Sequence, residues 1–227
     1  PKTITVDNYK RVWASDVPFT TFFLNSLKVT LTALVGEVFT SALAGYSFSK
    51  IRFRGRNIAF LLYVSTLIFP SQMMLIPRFV LFRQFGIYNT HWALILPGMF
   101  TAFGTFMLKQ FFDTIPDDMI ESARIDGANH FVIFSRIVVP ISTAAISALI
   151  IFQFVGLWNE YEPALVYLRD KALATIPLGL NYFQDENSTS YAAIMAASVC
   201  SLIPIFTVFL VFQKQFVQGI ATSGLKE

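Results

Sequence analysis

Residues 22–48 read FFLNSLKVTLTALVGEVFTSALAGYSF, with Lys28 and Glu37 the only charged side chains in the run. A helix needs about 20 mostly apolar residues to cross the hydrocarbon core of a bilayer, and this stretch exceeds that length. Its apolar residues do not alternate with polar ones, so it reads as a helix and not as a strand of a membrane barrel. Residues 58–79, 91–112, 141–161 and 191–212 have the same character. The expectation is an all-α membrane protein, a polytopic helical bundle with five visible spans.

Composition agrees. Charged residues make up 14% of the chain and apolar ones 55%, where soluble domains carry about 25% charged residues. The net charge of +3 is mild, and the basic residues gather between the apolar runs. That pattern orients a membrane protein and gives no nucleic-acid surface. The lone cysteine, Cys200, lies in an apolar run, so it reads as a buried thiol with no disulfide partner in the chain. The chain opens at Pro1 with no signal peptide of the usual pattern.

Residues 49–57 read SKIRFRGRN, with Lys50, Arg52, Arg54 and Arg56. So many positive charges in a short connection place it in the cytoplasm. Alternation then puts 113–140 and the tail 213–227 on the cytoplasmic side, and 78–90 and 162–190 outside. Lys10, Arg11, Arg78, Arg83, Arg169 and Lys171 fall on the outer side, so the bias is partial. The same topology makes residues 1–21 an extracytoplasmic segment ahead of a membrane domain over 22–212, and it implies one more helix upstream of Pro1. Small residues spaced four apart, such as Ser41 and Gly45 or Ala144 and Ala148, suit close helix packing. Pro70, Pro77, Pro97 and Pro204 mark kinks or helix ends.

The connection 113–140 reads DTIPDDMIESARIDGANHFVIFSRIVVP and is far longer than a turn. Pro116 followed by Asp117, Asp118 and Glu121 is a helix start with acids at the positive end of the dipole. Gly127 ends that helix, because glycine accepts the dihedrals of a reversal, and a second helix follows over 129–139. Met119, Ile120, Ala123 and Ile125 give the pair apolar faces for packing or docking. Ile120, Ala123 and the Gly127 turn share one side, a candidate docking face with Arg124 reaching toward an acidic group.

Polar groups at membrane depth face a cavity or a partner more often than lipid. Glu37 and Gln153 lie inside spans, and Asn159, Glu160 and Glu162 lie at the end of one. Trp158 and Tyr161 have the shape to stack on a sugar ring, with Asn159 and Glu160 bonding hydroxyls; an interfacial aromatic belt explains the same residues. Gln72, Thr101 and Thr105 are further pocket candidates. His91 and His130 are too far apart in the expected topology for a metal site. The chain has no G-x-x-x-x-G-K for ATP and no G-x-S-x-G or H-E-x-x-H. Asn187-Ser188-Thr189 matches a glycosylation sequon by chance.

Glu121-Ser122-Ala123, then Gly127 after three residues and Ile137-Val138-Val139-Pro140 after nine more, resembles the EAA motif, E-A-A-x3-G-x9-I-x-L-P, with Ser122 and Val139 as conservative departures. That motif marks permease subunits of binding-protein-dependent ABC importers. NSLKVTLTA at 25–33, AGYSFSKIRFRGRN at 44–57, IP at 76–77, LILP at 94–97, IDGA at 125–128, WNEY at 158–161, IPLGL at 176–180 and the terminal FVQGIATSGLKE are similar to maltose-type sugar permeases. The resemblance implies the type I importer permease fold, usually of six helices, in the cytoplasmic membrane. It implies that Glu121, Ser122, Ala123, Arg124, Asp126, Gly127, Ile137 and Pro140 serve coupling to a cytoplasmic ATPase dimer, and that Gly224, Leu225 and Lys226 reach that ATPase. A second homologous permease subunit and an extracytoplasmic solute-binding protein complete the assembly. This chain then needs no cofactor, since ATP and Mg sit on the ATPase, and it carries a carbohydrate, an oligosaccharide in this branch. The alternatives are an importer of a non-sugar solute and a polytopic membrane enzyme using Glu37, Glu160 or Glu162, which lack a nearby His, Cys or metal-ligand set. A secondary transporter would show inverted repeats, and none is evident.

Overall fold

A computed structural model describes residues 6–14, 17–185, 188–189 and 191–224. Its helices are α1 (Asp7–Ala14), α2 (Phe19–Lys50), α3 (Arg56–Ser65), α4 (Leu75–Gln84), α5 (Trp92–Gly98), α6 (Ala102–Asp113), α7 (Asp117–Ile125), α8 (His130–Ile133), α9 (Val139–Ile141), α10 (Thr143–Trp158), α11 (Glu162–Tyr167), α12 (Ile176–Gly179) and α13 (Tyr191–Gly224). Strand structure among the described residues is a two-residue antiparallel ladder, Gln184–Asp185 against Ser188–Thr189.

Among the described residues three helical stretches, Phe19–Lys50, Trp92–Asp113 and Tyr191–Gln215, are long and apolar enough to cross a membrane, or up to five if each of two bent helix pairs is one span. The expected span 58–79 is one of those pairs. α3 passes through a 3-10 turn at Thr66–Ile68, breaks at Phe69 and Pro70, and resumes through Ser71–Met74 into α4. Pro70 has no N–H to continue the ladder and pushes Phe69 out of the helical region, where its ψ is 118°. The expected span 141–161 is the second pair, His130–Ile141 and Thr143–Trp158, bent by 77°. Pro140 lies just before this bend and cannot donate to Arg136, and the ladder widens to a π turn over Phe134–Val138. Pro204, in contrast, sits inside the unbroken α13, which runs on to Gly224 through much of the expected tail.

The chain forms two compact units: Pro1–Ala33, Ser71–Pro97 and Phe154–Val208, and Leu34–Pro70, Gly98–Gln153 and Phe209–Glu227. In the first, the long connection after α10 is folded and tied down. Asn25 Nδ2 donates to the carbonyls of Ala172 and Ala174 at 2.8 and 3.0 Å. Ser26 Oγ accepts from the Ile176 amide at 2.7 Å. Asn89 accepts from the amides of Arg169 and Asp170 at 2.8 and 3.0 Å. Ala164, Tyr167, Ala174 and Ile176 are buried there.

In the second unit the α2–α6 contact depends on small residues. A Cβ at Gly45 would lie 3.1 Å from the Lys109 amide nitrogen, and one at Gly104 would lie 2.6 Å from Ser41 Oγ. Close backbone approach of this kind drives helix association where lipid is as apolar as the side chains. Leu108, Phe112, Ile133, Val138 and Leu149 form the fully buried core of this unit with Tyr46 and Ile120.

Candidate functional site

The segment 113–140 is held by bonds at each of its joints. Lys50, the last residue of α2, has a side chain only 4% exposed. Its Nζ donates to the Ile115 carbonyl at 2.6 Å and to Asp117 Oδ1 at 2.7 Å, pinning the start of α7. The bond from the buried ammonium to the Ile115 carbonyl contributes about 1.5–3 kcal/mol, and the pair with the exposed Asp117 carboxylate, screened by solvent, about 1 kcal/mol or less. The Lys50 hydrogen bond and charge hold the Asp117 carboxyl below its ordinary range. Asp113 accepts from Ser49 at 2.7 Å and pairs with Lys109 at 2.6 Å.

α7 ends in a left-handed cap. Gly127 has φ +84°, its amide donates to the Arg124 carbonyl, and the Ala128 amide donates back to Ala123, both at 2.9 Å. These are the paired bonds of a Schellman motif, and Ala123 and Ala128 both pack on the core beneath it. Asn129 then caps α8 by accepting from the Val132 amide at 2.9 Å. The reversal is therefore fixed by its own hydrogen bonds.

The face expected to dock is turned inward. Ile120 is 4% exposed and belongs to the core with Tyr46, Leu108 and Phe112, and Ala123 packs against the same cluster. The helical spacing is as read, but the sequence does not tell which apolar face meets the protein's own core. The outward apolar side chains are Met119, Ile125 and Phe131, exposed by 42, 86 and 71%. Glu121, Ser122, Arg124 and Asp126 are also exposed, Ile137 is half-buried and Pro140 is exposed. Lys50 was legible only as one positive charge among several; its place as the final residue of an apolar helix is the signal that marks it as an anchor.

The candidate pathway residues fall into separate places. Gln153 donates to the carboxyl of Glu37, which is 2% exposed, so these two satisfy each other within the second unit. Trp158 is also 2% exposed. Its indole N–H donates to the Ser201 carbonyl at 3.0 Å, one face stacks on Phe154 at 5.6 Å, and Phe23 meets it edge-on at 5.8 Å. With its ring so occupied, Trp158 offers no free face to a sugar and is no interfacial belt residue; it is core, where truncation costs about 3–5 kcal/mol. Asn159, Glu160 and Tyr161 do come together. They line a cleft of about 390 Å³ with Ser71, Arg78 and Glu162. Arg78, a loop charge in the sequence, lines the same cleft as Glu160. Thr101 caps α6 and Thr105 donates to the Thr101 carbonyl, so both are structural. Gln72 accepts from Ser71 at 3.4 Å.

Gly224 is the last residue of α13. Leu225 and Lys226, like Asn187, lie outside the described residues. Among the described residues no three His, Cys, Asp or Glu side chains group to hold a metal ion.

Comparison with known proteins gives a consistent picture. Residues 37–222 match the family model described as binding-protein-dependent transport system inner membrane component. The chain is 32% identical to the arabinooligosaccharides transport system permease protein AraQ of Bacillus subtilis (strain 168), covering 100% of this chain and 80% of that protein. It is 33% identical to the galactooligosaccharides transport system permease protein GanQ of the same organism, over 100% and 82%. It is also 33% identical to the sn-glycerol-3-phosphate transport system permease protein UgpE of Salmonella typhi, over 98% and 82%. A chain from the crystal structure of a bacterial ABC transporter involved in the import of the acidic polysaccharide alginate superposes with a TM-score of 0.83 at 25% identity, covering 94% of this chain and 80% of that one.

Proposed function

Because the chain belongs to the binding-protein-dependent transport system inner membrane components, and is a permease subunit of the carbohydrate ABC importer kind, we propose that it carries an oligosaccharide across the cytoplasmic membrane by alternating access. Partner ATPase subunits drive the cycle, a second homologous permease subunit completes the pathway, and an extracytoplasmic binding protein delivers substrate. The observation that carries this reading is the capped pair α7 and α8. It is anchored to the end of α2 through Lys50 and presents Met119, Ile125 and Phe131 outward. A helix fixed at both ends, with exposed apolar side chains among the charged ones on its free side, is suited to pass a partner's motion to the helix it is tied to. On this reading ATP and Mg belong to the ATPase, and the segment 113–140 is cytoplasmic.

The cleft of Arg78, Asn159, Glu160 and Tyr161 supports a polyhydroxylated substrate. Arg78 supplies donors, Glu160 supplies acceptors, and Asn159 and Tyr161 supply both. A sugar needs such dense, mixed bonding, and an aromatic ring beside it gives its apolar face a platform. Arg78 also favours a second reading, a phosphorylated or carboxylated solute, which a guanidinium binds through paired N–H groups.

The test is uptake by the assembled transporter, with its binding protein, of a neutral oligosaccharide and of sn-glycerol 3-phosphate. Asn159→Ala and Arg78→Ala are expected to lower oligosaccharide uptake by about tenfold, the loss of about one good hydrogen bond to substrate. Transporter abundance is expected to stay unchanged. Uptake of the phosphate ester alone, lost in Arg78→Ala, would replace the sugar reading by the second one.

A further inference from the structure

Three elements meet through one imidazole. Tyr46 OH on α2 lies 3.0 Å from Nδ1 of His130, at the start of α8. Arg124 Nη2 on α7 lies 3.1 Å from Nε2 of the same ring. A guanidinium only donates, so Nε2 must hold its lone pair toward Arg124. The ring proton then sits on Nδ1 and is donated to the Tyr46 oxygen. Tyr46 itself is 3% exposed and packs on Phe134 at 5.4 Å, with the imidazole edge-on at 6.0 Å. His130 stands at the exposed rim of a cleft of about 520 Å³ between these elements, so solvent protons reach it.

We propose that His130 is a positioning residue for energy coupling: neutral, it ties α7 to α2 through Arg124 and Tyr46, and protonated it releases Arg124 and loosens the link between ATP hydrolysis and uptake. The inference rests on the importer reading above. Protonation makes both ring nitrogens donors. Nε2–H then faces the Arg124 N–H, and two cations confront each other at hydrogen-bond distance, so that bond cannot persist.

The other groups around the cleft do not supply the same switch. Tyr46 of α2 faces the ring directly, and the cleft adds Lys50 from α2, Arg52 from the turn after it, Arg56 from α3, Asp113 from α6, and Asp117, Glu121 and Arg124 from α7. Histidine is the side-chain type among these whose ordinary titration falls between about pH 5 and 8. Asp117, held low by Lys50, is ionised throughout that window, and Asp113 is paired with Lys109.

The experiment measures uptake per ATP hydrolysed by the complete transporter in proteoliposomes, varying pH on the ATPase side. The wild-type ratio is expected to fall several-fold from about pH 7.5 to about pH 5.5 with a one-proton dependence. His130→Gln keeps an acceptor for Arg124 and a donor for Tyr46, so it is expected to stay coupled with a flat profile. His130→Lys is expected to be uncoupled at every pH. A flat wild-type profile with working ATP-driven uptake overturns the proposal, as does a pH dependence that survives in His130→Gln. Wild-type protein with no ATP-driven uptake at any pH overturns the importer reading and the joint with it.

Discussion

Gly127→Val is expected to remove most ATP-driven uptake, while Gly127→Asn is expected to retain much of it. Nothing lies within 4 Å of a Cβ built at Gly127, so the effect is not a clash. It comes from φ +84°, which costs an L-residue about 1–2 kcal/mol, most for a β-branched one and least for asparagine. That strain is relieved only by opening the cap. Opening it breaks the amide bonds from Gly127 to Arg124 and from Ala128 to Ala123, and it swings α8 and His130 away from Tyr46. Uptake and the rate of proteolysis within 113–140 are the measurements. Equal uptake by the valine and asparagine variants would show that the turn's conformation does not matter.

Ile125→Asp is expected to strip the ATPase from the purified complex without unfolding this chain. The side chain is 86% exposed, so a charge there costs the isolated fold no more than about 0.5 kcal/mol. A central apolar anchor of an interface contributes about 2 kcal/mol or more, and a charge in its place is worse. Ile120→Asp is the counterpart. Ile120 is 4% exposed within the core, where an unpaired carboxyl costs several kcal/mol, at least about 3. Thermal unfolding in detergent and ATPase retention separate the two. Full ATPase retention by Ile125→Asp would mean that the outward face is not the docking face.

The contrast between these isoleucines shows where sequence reading stops. Length and apolarity determine that a run such as 22–48 is a membrane helix, because lipid satisfies no backbone group and leaves little choice. Pro116 and Gly127 announce their helix-start and turn roles through local geometry alone, and the structure has them there. Which side of a short amphipathic helix meets the core is a tertiary question, so Ile120 and Ile125 look alike in the sequence. Pro70 marks a kink or a helix end in the sequence without deciding between a bend and a full stop, and the break at Ser142, just after Pro140, is not marked there as either. Trp158 looked like a ligand platform because its neighbours Asn159 and Glu160 are polar, yet Phe154, one turn earlier, and Phe23 enclose it. The Tyr46–His130–Arg124 link had no sequence signal, because its members come from three elements.

The most direct test of the central claim is uptake of a labelled oligosaccharide into proteoliposomes containing this chain with its partner permease, ATPase and binding protein. The expected result is accumulation that requires ATP on the ATPase side and the binding protein on the other, and that Gly127→Val removes. Accumulation that proceeds without ATP, or that Gly127→Val leaves at the wild-type level, would contradict a permease driven through the segment 113–140.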